Sequence, residues 1–294
     1  MTEYGIDRDS FGRPRLYPPE GGGKVSYTRA STAAKIIDDK GGLINWSASQ
    51  AMIGLMKSKP LQARVSSIIA RTREDAYREN KTALRELVNT ATTIAQAQGR
   101  ADWGTAFHEL SELLDRGELD WSHVPEKLKG PLDAYESLGL KILDTEVFVA
   151  VDEPVGNGKV RIAGSMDCVL EHPEYGPIAG DKKTGTDEVR YANGCQSQVA
   201  IYSRGKRYRD ADFPGVPEFL DGDPNPNGTA WRKPLWPGLN EKVGAFIHVP
   251  LEKVDGRYEA AVYKLDLEVG WRNVVLGQTL QSARRHPKLK KMTA

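Results

Sequence analysis

The chain is poor in the residues that staple small folds or build soft-metal centres. Two cysteines, Cys168 and Cys195, occur among 294 residues. That is too few for a disulfide framework, a four-cysteine zinc site or a cysteine-held iron–sulfur cluster. No window approaches the roughly 18 apolar residues that a membrane-spanning helix needs. The opening MTEYGIDRDSFGRPR is charged and has no apolar run, so no secretory leader is expected. Neither sign of charge dominates: 41 Lys and Arg stand against 40 Asp and Glu, a net charge of +1. Any nucleic-acid partner must therefore be held by local patches rather than by a global field. There is no internal repeat and no P-loop G-x-x-x-x-G-K-[ST], so neither a repeat architecture nor a P-loop nucleotide site is expected. What remains is a soluble, cytoplasmic chain with reduced thiols. Its 39% apolar and 28% charged residues are ordinary for a globular protein.

Along the chain, residues 1–25 are rich in Gly, Pro and charge and read as an irregular arm. From Thr28 to about Gln98 the pattern is helical, with Val65, Ile68, Ile69, Ala76, Tyr77, Leu84 and Leu87 forming an approximate i, i+3/i+4 stripe. A helix over Thr105–Arg116 and helical character through PEKLKGPLDAYESLGL follow. The period then changes to two. TEVFVAVDE, KVRIAGSMDCVLE and GPIAGDKKT read as strands joined by turns at GNG and EHPEYG. A helix over Val189–Arg204, strands at GAFIHVPLE and RYEAAVYKLDL, and a final helix before a basic tail complete the order. Residues 208–243 lack periodicity and read as a loop insertion. The expected fold class is α/β, a mixed β-sheet flanked by helices over 101–294, with a mainly helical N-terminal region over 1–100.

Within this pattern two aspartates stand out. In RIAGSMDCVL the apolar Val160, Ile162, Met166, Cys168 and Leu170 share one strand face, which leaves Asp167 on the other. On the next strand Asp181 and Lys183 lie two apart and again share a face. If the two strands pair as a hairpin, both carboxylates and the ammonium converge. Convergent carboxylates repel unless a cation or proton intervenes. Oxygen ligands of this kind suit Mg²⁺ or Mn²⁺, which keep several waters and take substrate phosphate as a further ligand. The lysine can orient or help deprotonate a water, or offset charge that develops on phosphorus. The plainer alternative is a hairpin whose solvated face carries Asp and Lys. On the following helix Gln198 and Tyr202 lie one turn apart, and upstream His108 sits one turn inside a helix opened by Gly104-Thr105.

These residues, in this order, resemble the RecB-type branch of the PD-(D/E)xK nuclease superfamily, which includes phage exonucleases. The pattern of that branch is a helical G-x-x-x-H, a strand G-x-x-D, a strand (D/E)-x-K and a helical Q-x-x-x-Y. Here those are Gly104-Thr-Ala-Phe-His108, Gly164-Ser-Met-Asp167, Asp181-Lys-Lys183 and Gln198-Val-Ala-Ile-Tyr202. The resemblance covers about residues 100–205 and implies a restriction-endonuclease-like core. It implies that Asp167 and Asp181 hold Mg²⁺ or Mn²⁺ with the carbonyl of Lys182, and that His108 completes or borders the metal site. Lys183 would serve the attacking water, while Gln198 and Tyr202 brace the site. Glu146, one strand earlier, stands either for the extra acidic residue of the branch or for a solvent-facing glutamate. The cysteine set that holds an iron–sulfur cluster in many relatives is missing, and so is a helicase motif. Both departures point to a stand-alone, phage-type exonuclease that resects DNA ends.

For DNA, whether duplex ends or single strands, the best local cluster is Arg204, Lys206, Arg207 and Arg209. Cations there also suit the C-terminal dipole of the preceding helix. Trp231 with Arg232 could stack and hold an unpaired base, or the tryptophan could pack on the core. The implied partners are DNA and a single-strand annealing protein or separate helicase, with no membrane. A structure-specific endonuclease and a noncatalytic DNA-binding module of the same fold are the competing readings.

Overall fold

The structure is a computed structural model and describes residues 6–38, 41–95, 97–155, 158–185, 192–210, 235–253 and 255–284. By compactness the chain forms two units, Met1–Asp38 with Leu110–Ala294, and Asp39–Glu109. The sequence placed a boundary at residue 100. Instead the helical unit runs to 109, inside a helix, and the first 38 residues belong with the sheet. Among the described residues no helix is long and apolar enough to cross a membrane.

The sheet unit begins with the ribbon β1 (Arg15–Leu16) and β2 (Val25–Ser26), then β3 (Thr28–Arg29) and α1 (Ala30–Ala34). This segment is not an irregular arm. Ile6, Leu16 and Tyr27 are fully buried and pack against Phe148, Ala150, Ala163 and Tyr208. Polar ties reinforce them: the Tyr27 hydroxyl donates to Asp152 Oδ2 at 2.5 Å, and Lys24 bridges Asp7 at 2.8 Å and Asp210 at 2.6 Å.

In the helical unit, α2 (Gly41–Met56), α3 (Lys59–Arg71), α4 (Ala76–Glu79), α5 (Lys81–Ile94) and the start of α6 (Ala97–Asp115) follow one another. The single long stripe read from the sequence is split over three helices, α3, α4 and α5. Thr72 closes α3, and Asp75 opens α4 by accepting from the backbone N–H groups of Tyr77 and Arg78. The break resets the helical phase. Val65, Ile68, Leu84 and Leu87 join the core of this unit, whereas Ile69 and Tyr77 face solvent. Gly54 lets α2 and α5 meet backbone to backbone, since a Cβ there would lie 1.7 Å from the Ala91 carbonyl oxygen. Gly54→Ala is expected to push the helices apart and cost about 1–3 kcal/mol, read as a lower urea midpoint for this unit.

The chain then adds α7 (Glu126–Glu136), three long strands β4 (Lys141–Val155), β5 (Gly158–His172) and β6 (Gly176–Gly185), and α8 (Asn193–Arg204). β7 (Lys206–Arg207), β8 (Asn240–Pro250), β9 (Ala261–Asp266) and α9 (Leu267–Ala283) follow. The seven-stranded sheet has the order β7-β4-β5-β6-β8-β9, with β3 beside β5. It is mixed: β6 with β8 and β3 with β5 are parallel, and the remaining pairs are antiparallel. The fold is therefore a mixed α/β sheet flanked by helices. Val199, Ala200 and Ile201 of α8 and Leu267 and Val274 of α9 pack with Val147, Val149 and Ile162 of the sheet.

One detail of the ladder positions everything that follows. β5 and β6 pair from His172 with Gly176 up to Cys168 with Gly180, and then part. Beyond that point β6 continues against β8, while β5 takes β3 as its neighbour at Ile162 and Ala163. The result is a fork in the sheet.

Candidate active site at the strand fork

Asp167 and Asp181 are the next residues on each strand after the last β5–β6 pair, so both stand at the mouth of the fork. With the ladder open, the N–H of Lys182 donates to Asp167 Oδ2 at 2.7 Å instead of to a strand. The Asp181 side chain is fully buried. Its Oδ1 accepts from Gln198 Nε2 at 3.1 Å, and its Oδ2 accepts from Cys195 Sγ at 3.4 Å and forms an ion pair with Lys183. Gln198 Nε2 also donates to the Tyr202 hydroxyl at 2.9 Å. The structure thus gathers Asp167, Asp181, Lys183, Gln198 and Tyr202 at one place. Gly164 leaves room for this packing, because a Cβ there would come within 3.1 Å of the Ala30 Cβ and 3.6 Å of the Tyr202 ring.

Burial, together with the nearby Asp167 charge, pushes the Asp181 carboxyl up to about 6 despite the opposing pull of Lys183. Burial works against the Lys183 charge, but the two carboxylates prevail and hold its ammonium above the ordinary lysine range. Burial and the same carboxylates hold Tyr202 as the phenol and Cys195 as the thiol. Glu146 belongs to this neighbourhood. Thr145 pairs with Cys168 and Val147 with Met166, so the register sets Glu146 across from Asp167. Its φ of 50° is a left-handed conformation that a non-glycine residue adopts at a cost. Its charge also contributes to the upward shift of Tyr202.

A buried carboxylate that resists ionisation beside a second carboxylate is a donor set that fits a hard divalent cation. Among the described residues no group of three His, Cys, Asp or Glu gathers as a metal site. Such a cation would therefore complete its shell with water, a backbone carbonyl and substrate oxygens. Asp167→Ala would leave the buried N–H of Lys182 without its acceptor and is expected to cost about 1–3 kcal/mol. Asp167→Asn keeps an acceptor there and should fold like the wild type. Thermal melts of the two variants check this contrast.

Lys182 is buried by its side chain, which points away from Asp181 and Lys183. His108 lies in the helical unit, half buried, with its ring edge-on to Phe107 at 6.3 Å between centroids. In the basic cluster, the Arg204 guanidinium lies 4.8 Å from the centre of the Trp271 ring, and Arg207 pairs with Asp144 at 2.9 Å. Lys206 and Arg207 form the short β7 beside β4, and Arg209 is exposed. Arg204 and Arg207 thus have partners within the fold, and among the described residues Lys206 and Arg209 are the less committed cations. Trp231, Arg232, most of the 208–243 loop and the basic tail beyond Arg284 lie outside the described residues. Cys195 was missed in the sequence although the signal was present: it lies one turn before Gln198, on the face that carries Tyr202.

No protein-family profile matches the sequence, and no curated protein matches it. Among solved structures the chain is similar to one titled "Crystal structure of SSO0001". The identity is 14% and the TM-score 0.32, over 77% of this chain and 87% of that one. A likeness that distant carries no argument about function.

Proposed function

We propose that this chain is a Mg²⁺- or Mn²⁺-dependent deoxyribonuclease that resects DNA ends as an exonuclease. The observation that carries the reading is the strand fork, where Asp167, Asp181 and Lys183 meet beside the Gln198–Tyr202 pair. Asp167 and Asp181, with the carbonyl of Lys182, are the residues that would hold the cation. When bound, the cation would polarise the scissile phosphate and favour ionisation of a water. Lys183 supplies positive charge and hydrogen bonds where negative charge grows on the phosphate oxygens, or orients the attacking water. Gln198 spans Asp181 and Tyr202 with its two N–H bonds, which holds the buried carboxylate in one orientation. The ends-first mode comes from the resemblance to phage exonucleases, and a single-strand annealing protein is the kind of partner that would use the product.

The test compares linear with covalently closed duplex. Linear DNA should be degraded with Mg²⁺ or Mn²⁺ and spared in excess chelator, while closed circles stay intact. Cleavage of closed circles would replace the exonuclease reading with the endonuclease one. Undiminished cleavage after exhaustive chelation would sink the metal-dependent reading altogether.

A further inference from the structure

The strand that carries Asp181 and Lys183 has a second lysine between them, and strand alternation sends its side chain to the opposite face. There Lys182 is 2% exposed. Its Nζ lies 2.5 Å from Asp115 Oδ2, 3.1 Å from Ser111 Oγ and 4.9 Å from the centre of the Tyr135 ring. The Tyr135 hydroxyl donates to the other Asp115 oxygen, Oδ1, at 2.8 Å. Ser111 and Asp115 come from α6 and Tyr135 from α7, so two helices converge on one strand residue. The backbone of that residue meets the site from the other side, because its N–H holds Asp167 Oδ2.

An apolar side chain could fill this position. Taking a lysine and an aspartate out of water offsets most of what their attraction returns, and well-packed hydrophobic replacements of buried ion pairs are often as stable or more so. What the ion pair adds is direction. Methyl groups pack without preferred orientation, whereas a charge pair, two hydrogen bonds and an aromatic ring fix where Lys182 sits along its strand. Its position in turn sets the Asp167 carboxylate through one hydrogen bond and Asp181 through one peptide link.

We propose that the buried Ser111–Asp115–Lys182–Tyr135 network positions the Asp167 and Asp181 carboxylates for the divalent cation, with Asp115 and Tyr135 as positioning residues. This rests on the nuclease reading above. Partners of that kind, one step behind the ligands, commonly govern metal affinity by tenfold or more.

The experiment uses the full chain and Mn²⁺ alone, with binding followed by calorimetry and folding by thermal melts in chelator. In Lys182→Met/Asp115→Leu/Tyr135→Phe both charges and the Tyr135 hydroxyl go together, and the Ser111 hydroxyl, which has a further partner, loses only the lysine. The metal-free triple variant should melt at or above the wild-type temperature, yet bind Mn²⁺ about tenfold more weakly. Tyr135→Phe alone keeps the ion pair and the fold, and should weaken Mn²⁺ binding by about threefold through loss of one hydrogen bond to Asp115. A folded triple variant with wild-type affinity would overturn the positioning role. So would unchanged affinity in Tyr135→Phe if the triple variant fails to fold. Wild-type protein that binds no Mn²⁺ would instead overturn the nuclease reading, and this inference with it.

Discussion

Asp181→Asn should abolish DNA cleavage and, in the same protein, leave the metal-free fold as stable as the wild type or more so at neutral pH. Both halves come from one property: Asp181 is fully buried beside a second carboxylate. In the folded chain its carboxyl titrates at about 6, above the value of about 3.9 for an unfolded aspartate. A group whose folded value is raised in this way binds its proton more tightly when folded. The metal-free wild type therefore loses stability as pH rises from about 4 through 6 and carries the whole loss at pH 7. Asparagine has no such loss. It also keeps its partners after the Gln198 amide turns over, accepting from Lys183 and Cys195 and donating to Gln198. Without a carboxylate it cannot hold the cation, and activity should vanish. Melting temperatures in chelator should converge below about pH 4 and separate, in favour of the variant, by pH 7. A variant clearly less stable than wild type at pH 7 would show that the buried carboxylate is a structural ion pair rather than a ligand kept at a cost.

Lys183→Ala is expected to slow cleavage at saturating metal by about 10²-fold or more, the scale of one well-placed donor at a reacting centre. Its side chain is 40% exposed but its partner Asp181 is fully buried, so its removal leaves that carboxylate without a counter-ion and should lower metal-free stability at neutral pH. The variant should also bind the cation no more weakly than wild type, because Asp181 is freed from its ion pair. Rate and affinity thus move differently. Unchanged turnover at saturating Mn²⁺ would return Lys183 to the solvated surface and leave the site without its donor.

The three long strands and α8 were legible because their pattern runs unbroken through Val147, Val149 and Val151 and again through Ala200 and Ile201. Five of the residues now gathered at the fork could be placed for the same reason: Asp167 from the strand period, Asp181 and Lys183 from their spacing, Gln198 and Tyr202 from the helix that follows. What escaped depends on contacts rather than on period. Ile6, Leu16 and Tyr27 dock residues 6–29 onto the sheet, but they lie too far apart in sequence to form a pattern. Lys182 was singled out only for its backbone carbonyl; the burial of its side chain was not legible, because its counter-ion Asp115 lies 67 residues away. Nothing in the sequence around Glu146 announces a left-handed glutamate within a strand, since that conformation is imposed by its neighbours and not by its own preference.

The docked N-terminal segment also sets an order of events during synthesis. It is synthesised before the strands it docks on: the partner of Tyr27 is 125 residues further on and that of Tyr17 is 191 residues further on. Between them lie the helices of residues 41–94, whose contacts are local and close quickly. The nascent chain therefore passes through a long interval in which the helical unit has formed while Ile6, Leu16 and Tyr27 still have no core to enter. The open flank of β5 beyond the fork also waits until β3 arrives beside it. Such an unpaired strand edge is where a half-made chain meets its neighbours, and the yield of soluble protein should be governed by how soon that edge is closed.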